Sequence, residues 1–399
     1  MLRMVPPAGA PLELSQIFHA LRSTYANETD TGRLLGEFTQ YLRVRHVIAT
    51  CSGRSGLYAT LRALRSLRPD RGVVAVPAYV CFSVPASIVR AGLVLQPVDV
   101  DPETLDYNFT QLESLQKEGL LCILGASLFG LVNDAPRIQA IAHAKGAFFL
   151  DDAAQALGAS RDGRLAGTAG DVGLYSFGRG KVLANLEGGL VVTGSDEIAA
   201  AVEREVDAFP AASTGHDGRF LLQLLAYSAL LNPRLYWIPA SLPFLGLGVT
   251  EYKVEFPATR ASKFSLALSH HLLAGLEEVA RSRQRNAAEI AGLLRGHPKF
   301  TMPGVPEGCI PSFIRFPLIA RDEATREKAL AGLRAAGIGA SLFYPSAICD
   351  IAGIENYMAE PDFHRPQAES LARRLLTLPT HPGVTRNDLE RIRRVLWSF

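Results

Sequence analysis

The densest chemistry in this 399-residue chain lies between Phe148 and Thr193. An apolar run, Phe148-Phe149-Leu150, ends on two carboxylates, Asp151 and Asp152. A carboxylate at a strand end can pair with a protonated ring nitrogen and hold it charged. A second apolar run leads to Ser176, and Lys181 follows in a loop rich in glycine. A lysine in such an apolar loop can lose its proton more readily and form an imine with an aldehyde. Ser176 could donate to a phosphate. Taken singly these residues are ordinary, because most Asp–Asp pairs cap helices and most lysines are solvated. Their order and spacing carry the reading.

Such residues need a frame. Six short apolar runs read as buried strands: His46–Thr50, Val73–Val76, Leu93–Val98, Leu120–Gly125, Ala147–Leu150 and Val172–Ser176. Between several of them lie helix-like stretches, Gly56–Leu67, Ser83–Ala91 and Ala135–Lys145. Continuous Val/Ile/Leu runs alternating with helices imply an α/β fold with a largely parallel sheet, whose sites gather at strand ends. Cys51-Ser52-Gly53-Arg54-Ser55 lies between a strand and a helix. A glycine-bearing turn that opens a helix presents N–H groups to an anion, and the helix dipole adds to this.

Together these motifs resemble the DegT/DnrJ/EryC1/StrS sugar aminotransferases, of pyridoxal-phosphate (PLP) fold type I. That family's D-x-A-Q-x-x-G, G-D, S-F-x-x-x-K and E-G-G motifs find matches in Asp152–Gly158, Gly170-Asp171, Ser176–Lys181 and Glu187-Gly188-Gly189, with Thr193 ending the next strand. The resemblance implies that Lys181 carries the cofactor as a Schiff base and shuttles a proton. Asp152 would pair with the pyridine nitrogen, Gln155 lie near the ring hydroxyl, and Ser176 bind the phosphate with the Gly53, Arg54 and Ser55 turn. Val76-Pro77-Ala78-Tyr79, Gly337-Ile338, Tyr344-Pro345 and Leu378-Pro379-Thr380-His381 extend the likeness, which covers about residues 35 to 395.

Four departures stand out. Where the family places an aromatic residue that stacks on the cofactor ring, this chain has Cys81, with Tyr79 and Phe82 as substitutes nearby. A family histidine is replaced in Ala126-Ser127-Leu128-Phe129-Gly130. The family's N-x-R segment, which reaches a neighbouring subunit's cofactor, becomes Ala258-Thr259-Arg260. The apolar stretch from Phe220 to Gly248 has no counterpart in the usual nucleotide-sugar enzymes.

The chain divides by texture into a large cofactor-binding domain (1–215), an apolar insertion (216–256), and a connecting helix with a small C-terminal α+β domain (257–399). In that last part, helices are expected at Glu323–Ala336, Arg365–Leu376 and Arg386–Trp397. Hydrophobic residues make up 48% and the net charge is +2, so a sizeable core is expected and nothing points to nucleic acid. Five scattered cysteines with no CxxC pair indicate neither a disulfide framework nor a metal site and suit a reducing cytoplasm. The N-terminus has no apolar run like a signal peptide's. Three functions compete. The first is amino transfer from glutamate to a keto sugar, most naturally a nucleotide-linked one, by a homodimer. The second is amination of a lipid-linked or other apolar carbonyl compound, with Phe220–Gly248 touching a membrane peripherally. The third is a regulatory PLP-fold protein without turnover, against which the intact Asp152, Gln155, Ser176 and Lys181 set argues.

Overall fold

The computed structural model describes residues 3–26, 30–242, 250–361 and 363–399. Its strands, in chain order, are β1 (His46–Thr50), β2 (Val73–Pro77), β3 (Val94–Val98), β4 (Leu120–Ala126), β5 (Phe148–Asp152), β6 (Ser160–Arg161), β7 (Arg164–Leu165), β8 (Val172–Ser176), β9 (Gly189–Thr193), β10 (Phe300–Thr301), β11 (Cys309–Ile310), β12 (Phe316–Ala320) and β13 (Leu375–Leu378). Seven of them form one sheet in the order β1-β9-β8-β5-β4-β2-β3. The β3, β2, β4, β5 and β8 neighbours pair in parallel, and β9 alone runs against both β8 and β1.

The absence of hydrophobic alternation in these strands follows from cover on both faces. Every residue of β4 is buried. On β2, Val74 and Val76 join the core that holds Leu57, Leu61 and Leu64 of the helix Gly53–Leu67. The intervening Ala75 joins the opposite core with Ile138 and Ala142 of the helix Ala135–Ala144. That split is the period of two expected of a strand. The result is the α/β architecture with a large, mostly parallel sheet.

A three-stranded antiparallel sheet, β10-β12-β13, forms the C-terminal part with the helices Glu323–Ala335, Pro366–Arg374 and Arg386–Leu396. The middle helix stops two residues short of the expected Leu376. Leu375–Leu378 is instead β13, because these residues are wholly buried and pair with Phe316–Ile319. Residues near the N-terminus pack with this part rather than with the large sheet: Val5 bridges Ile338, and Arg3 pairs with Asp388 at 2.8 Å.

The apolar stretch is a helix, His216–Leu230, followed by the short helix Trp237–Ala240; residues 243–248 of it lie outside the described residues. Phe220 and Leu224 are buried, while Leu222 is 68% exposed, so the leucines do not all share one face. The helix packs beside Leu14–Tyr25, and Ser228 Oγ donates to the Leu12 carbonyl at 2.8 Å. Among the described residues no helix is long and apolar enough to cross a membrane.

Candidate active site

The carboxyl ends of β1, β2, β4, β5 and β8 meet at one edge of the large sheet, and a cavity of about 700 Å³ opens there. Its wall includes Gly53, Arg54, Cys81, Asp152, Gln155, Ser176 and Lys181. A parallel sheet collects its loops at this edge, so residues far apart in sequence become neighbours.

The two adjacent carboxylates on β5 differ because successive strand residues point to opposite faces. Asp151 turns away from the cavity, and its Oδ2 accepts from the Gly167 and Ala169 N–H groups at 2.9 and 3.1 Å. Burial pushes its pKa up to about 6. Asp152 faces the cavity. Its Oδ1 accepts from the Ala154 N–H at 2.9 Å, and among the described residues no donor takes Oδ2. Burial raises its pKa, opposed by the Ala154 N–H and by the charge of Lys181.

Lys181 closes a turn in which its own N–H donates to the Gly178 carbonyl at 3.2 Å. Burial lowers the pKa of its ammonium and nearby Arg315 lowers it further, while Cys81 and Asp152 act the other way. Desolvation of this kind favours the neutral amine, the nucleophilic form. The wholly buried Arg283 holds the loop in place by donating to the carbonyls of Lys181, Ile314 and Gly9.

The turn after β1 is a capping box. Ser52 Oγ accepts from the Ser55 N–H at 3.1 Å, and Ser55 Oγ accepts from the Ser52 N–H at 3.0 Å. The helix therefore begins at Gly53, three residues before the expected Gly56. A Cβ on Gly53 would fall 2.7 Å from the Ser176 Cβ. Only glycine lets the start of this helix sit so close to the end of β8. The first helical N–H groups and the Ser176 hydroxyl thus share one corner of the cavity, a place for an anion.

Two of the expected site residues lie off the cavity wall. Ser55 is spent on the cap. Tyr79 is fully buried with its ring 5.4 Å from that of Tyr344, whose neighbour Phe343 continues the aromatic packing. Phe82 also faces the core; of the three residues considered for the ring, Cys81 alone lines the cavity, near Lys181 and beside Val80, Ser83 and Val84. Gln155 is fixed at both ends: Oε1 accepts from the Phe129 N–H at 2.9 Å and Nε2 donates to the Tyr344 hydroxyl at 2.6 Å. Among the described residues no acceptor takes its second amide N–H.

Several cavity residues had no role in the sequence reading. Ser127, noted there only as the replacement for a histidine, is buried with its hydroxyl unpartnered among the described residues. His216, at the start of the apolar helix, lies 3.1 Å from Glu187 and 3.2 Å from Asp217. Arg219, one turn on, also lines the cavity, as does Thr259, whose N–H donates to the Cys51 sulfur at 3.4 Å. The polar start of the helix, His216-Asp217-Gly218-Arg219 before Phe220, was the available signal.

The group implied by the sequence motifs, PLP, needs an amine for its aldehyde, an anion for its ring nitrogen and donors for its phosphate. Lys181, the open Oδ2 of Asp152 and the Gly53–Ser176 corner meet those needs in one cavity, and the unpartnered Ser127 hydroxyl offers a further contact.

Comparison with known proteins agrees. The chain is 28% identical over 356 residues to a UDP-N-acetyl-3-dehydro-alpha-D-glucosamine 3-aminotransferase of Acidithiobacillus ferrooxidans, covering 88% of this chain and 84% of that one. It is 25% identical to a GDP-perosamine synthase of Caulobacter vibrioides, covering 91% and 89%. In structure it resembles PseC of Helicobacter pylori, an aminotransferase involved in the biosynthesis of pseudoaminic acid, with a TM-score of 0.80 at 16% identity and 99% of each chain covered. The model of the DegT/DnrJ/EryC1/StrS aminotransferase family matches residues 13–235 and 240–396, so this chain belongs to that family and is a PLP-dependent aminotransferase.

Proposed function

We propose that the enzyme moves an amino group from an amino-acid donor, glutamate in the reading adopted here, onto a keto sugar linked to a nucleotide. The observation that carries this is the meeting of Lys181 and Asp152 in one buried cavity beside the Gly53–Ser176 corner. When bound, PLP supplies an electron sink for the carbon that exchanges its amino group. Lys181 Nζ, desolvated in the cavity, is the amine that would hold the cofactor and the base that would move the proton at the reacting carbon. Asp152 is the carboxylate that would keep the ring nitrogen protonated, through its open Oδ2. Gln155 would meet the ring's edge with its remaining amide N–H, and Ser176 with the helix start at Gly53–Ser55 would hold the phosphate. Cys81, on the cavity wall, would lie against the ring in place of the family's aromatic residue. Arg219 at the cavity rim provides a cation for the phosphates of a sugar nucleotide, and two relatives named above carry UDP or GDP in their names.

A homodimer fits the exposed apolar side chains of two packed helices: Leu14, Phe18 and Tyr25 on one, Leu222 on the other. A second reading, an apolar or lipid-linked acceptor met at a membrane surface, is favoured by Leu235, Trp237, Ile238 and Leu242, which are also exposed. Incubation with ¹⁵N-glutamate and a panel of UDP- and GDP-linked keto sugars alongside lipid-linked carbonyl compounds separates the two. Label in a nucleotide-linked amino sugar supports the first reading. Label confined to the lipid-linked compounds overturns it in favour of the second.

A further inference from the structure

Behind the Lys181 loop lies a second cavity, of about 380 Å³, that no step of the reaction uses. Its floor is the loop itself, with Arg179 and Gly180 on this side of the wall and Lys181 on the other. The helix His216–Leu230 supplies one flank through Ala226, Tyr227 and Leu230, and Pro239 of the short following helix supplies another. Arg315 completes it.

Arg315 is the unusual member. Its guanidinium donates to the hydroxyls of Ser341 and Thr377 and lies 5.2 Å from the centre of the Phe343 ring. Among the described residues Arg315 has no carboxylate partner, and the groups around its guanidinium are hydroxyls and aromatic rings; Arg179, also without one, is exposed. A largely buried cation is ordinarily paired, because desolvation without a counter-charge is costly. Two guanidiniums on one small cavity offer planar donor forks to an oxyanion. Apart from Gln223, the other side chains of the wall are aliphatic or aromatic, so the cavity combines two cations with a largely apolar lining.

We infer that this cavity binds an anionic amphiphile, its oxyanion head held by Arg179 and Arg315 and its apolar tail lying against Tyr227, Leu230 and Pro239. The site is separate from the sugar-acceptor reading and stands or falls without it, since the test reads binding and not turnover. Occupation would also press on the loop that presents Lys181, whose backbone forms the shared wall.

Trp237, half-exposed beside Tyr236 and Pro239, reports on the site. The experiment titrates the holoenzyme with dodecyl phosphate below its micelle concentration and follows tryptophan fluorescence. Inorganic phosphate, dodecanoate and dodecanol serve as separate arms. Saturable binding of one dodecyl phosphate per chain is expected, with inorganic phosphate and dodecanol at least tenfold weaker. Dodecanoate binding as tightly as dodecyl phosphate would assign the natural head to a carboxylate as well as a phosphate and still support the site. Ala226→Phe, which fills the cavity from an exposed position, and Arg179→Gln should each weaken binding at least fivefold. Circular dichroism on the same samples confirms that both variants are folded. No saturable change, equal binding of dodecanol, or unchanged affinity in both folded variants would overturn the inference.

Discussion

Asp151 and Asp152 are adjacent, chemically identical and differently employed. The first accepts two backbone N–H groups beneath the sheet; the second leaves an oxygen open in the cavity. Asp152→Asn therefore removes the cavity charge proposed to meet the ring nitrogen, and kcat/KM is expected to fall about 100- to 1,000-fold with the unfolding midpoint little changed. Asp151→Asn should do the reverse, lowering the midpoint while folded protein keeps most of its kcat/KM. Steady-state kinetics and urea unfolding on both variants check the pair; a crippled Asp151→Asn and a mild Asp152→Asn would contradict the geometry. The sequence already singled out Asp152, Lys181, Ser176 and Gln155 by motif spacing. It could not show that Ser55 is consumed by a cap or that Tyr79 packs on Tyr344, because those outcomes depend on a helix start and on a partner 265 residues away. Nor does a lone histidine ahead of an apolar helix reveal that it meets Glu187 at the cavity, a contact made across 29 residues of chain.

At the scale of elements, strands buried on both faces were the most legible part of the chain. β8, in the covered middle of the sheet, has the expected limits, and so has β1, although as an edge strand it is only partly buried. Where tertiary pairing decides, local pattern failed: Leu375–Leu378 continues a helical pattern yet is drawn into a sheet by β12. The helix His216–Leu230 shows the same limit, for its leucines are shared between the packing against Leu14–Tyr25 and an exposed side. That exposed side carries the dimer proposal. Phe18→Glu together with Leu222→Glu places charges on a surface of apolar contact and should convert a dimer to a monomer in light scattering. A dimer that survives both changes would place the interface elsewhere. Flotation of the parent protein with liposomes, lost in Trp237→Glu together with Ile238→Glu while the mass in solution stays unchanged, would support membrane contact.

The whole molecule is tied together by its N-terminal residues, which cross to the C-terminal part. Arg3 meets Asp388, Val5 bridges Ile338, Gly9 accepts from Arg283, and His381 Nε2 donates to the Pro6 carbonyl at 2.9 Å. His381 Nδ1 accepts from the Gly383 N–H at 3.2 Å, so the neutral ring is fully used and has no place for a second proton. Burial holds its pKa down to about 4 from an ordinary 6.5. The unfolded chain therefore binds this proton first. The stability that neutral His381 contributes is complete above pH 6.5 and is lost as pH falls through about 4. His381→Gln cannot titrate, so the stability gap between the parent and this variant should narrow by roughly 2 kcal/mol between pH 7 and pH 5. Urea unfolding at the two pH values checks this, and a gap independent of pH would show that His381 is not held neutral by the fold.

Everything proposed for the reaction turns on the atom that holds the cofactor. Borohydride reduction of the holoenzyme fixes the bond between PLP and its lysine, and peptide mass spectrometry then locates it. The reduced adduct is expected on Lys181 alone, and Lys181→Ala should show no adduct and no aminotransferase activity. An adduct on another lysine, or near-normal transamination by Lys181→Ala, would contradict the assignment of this cavity as the active site.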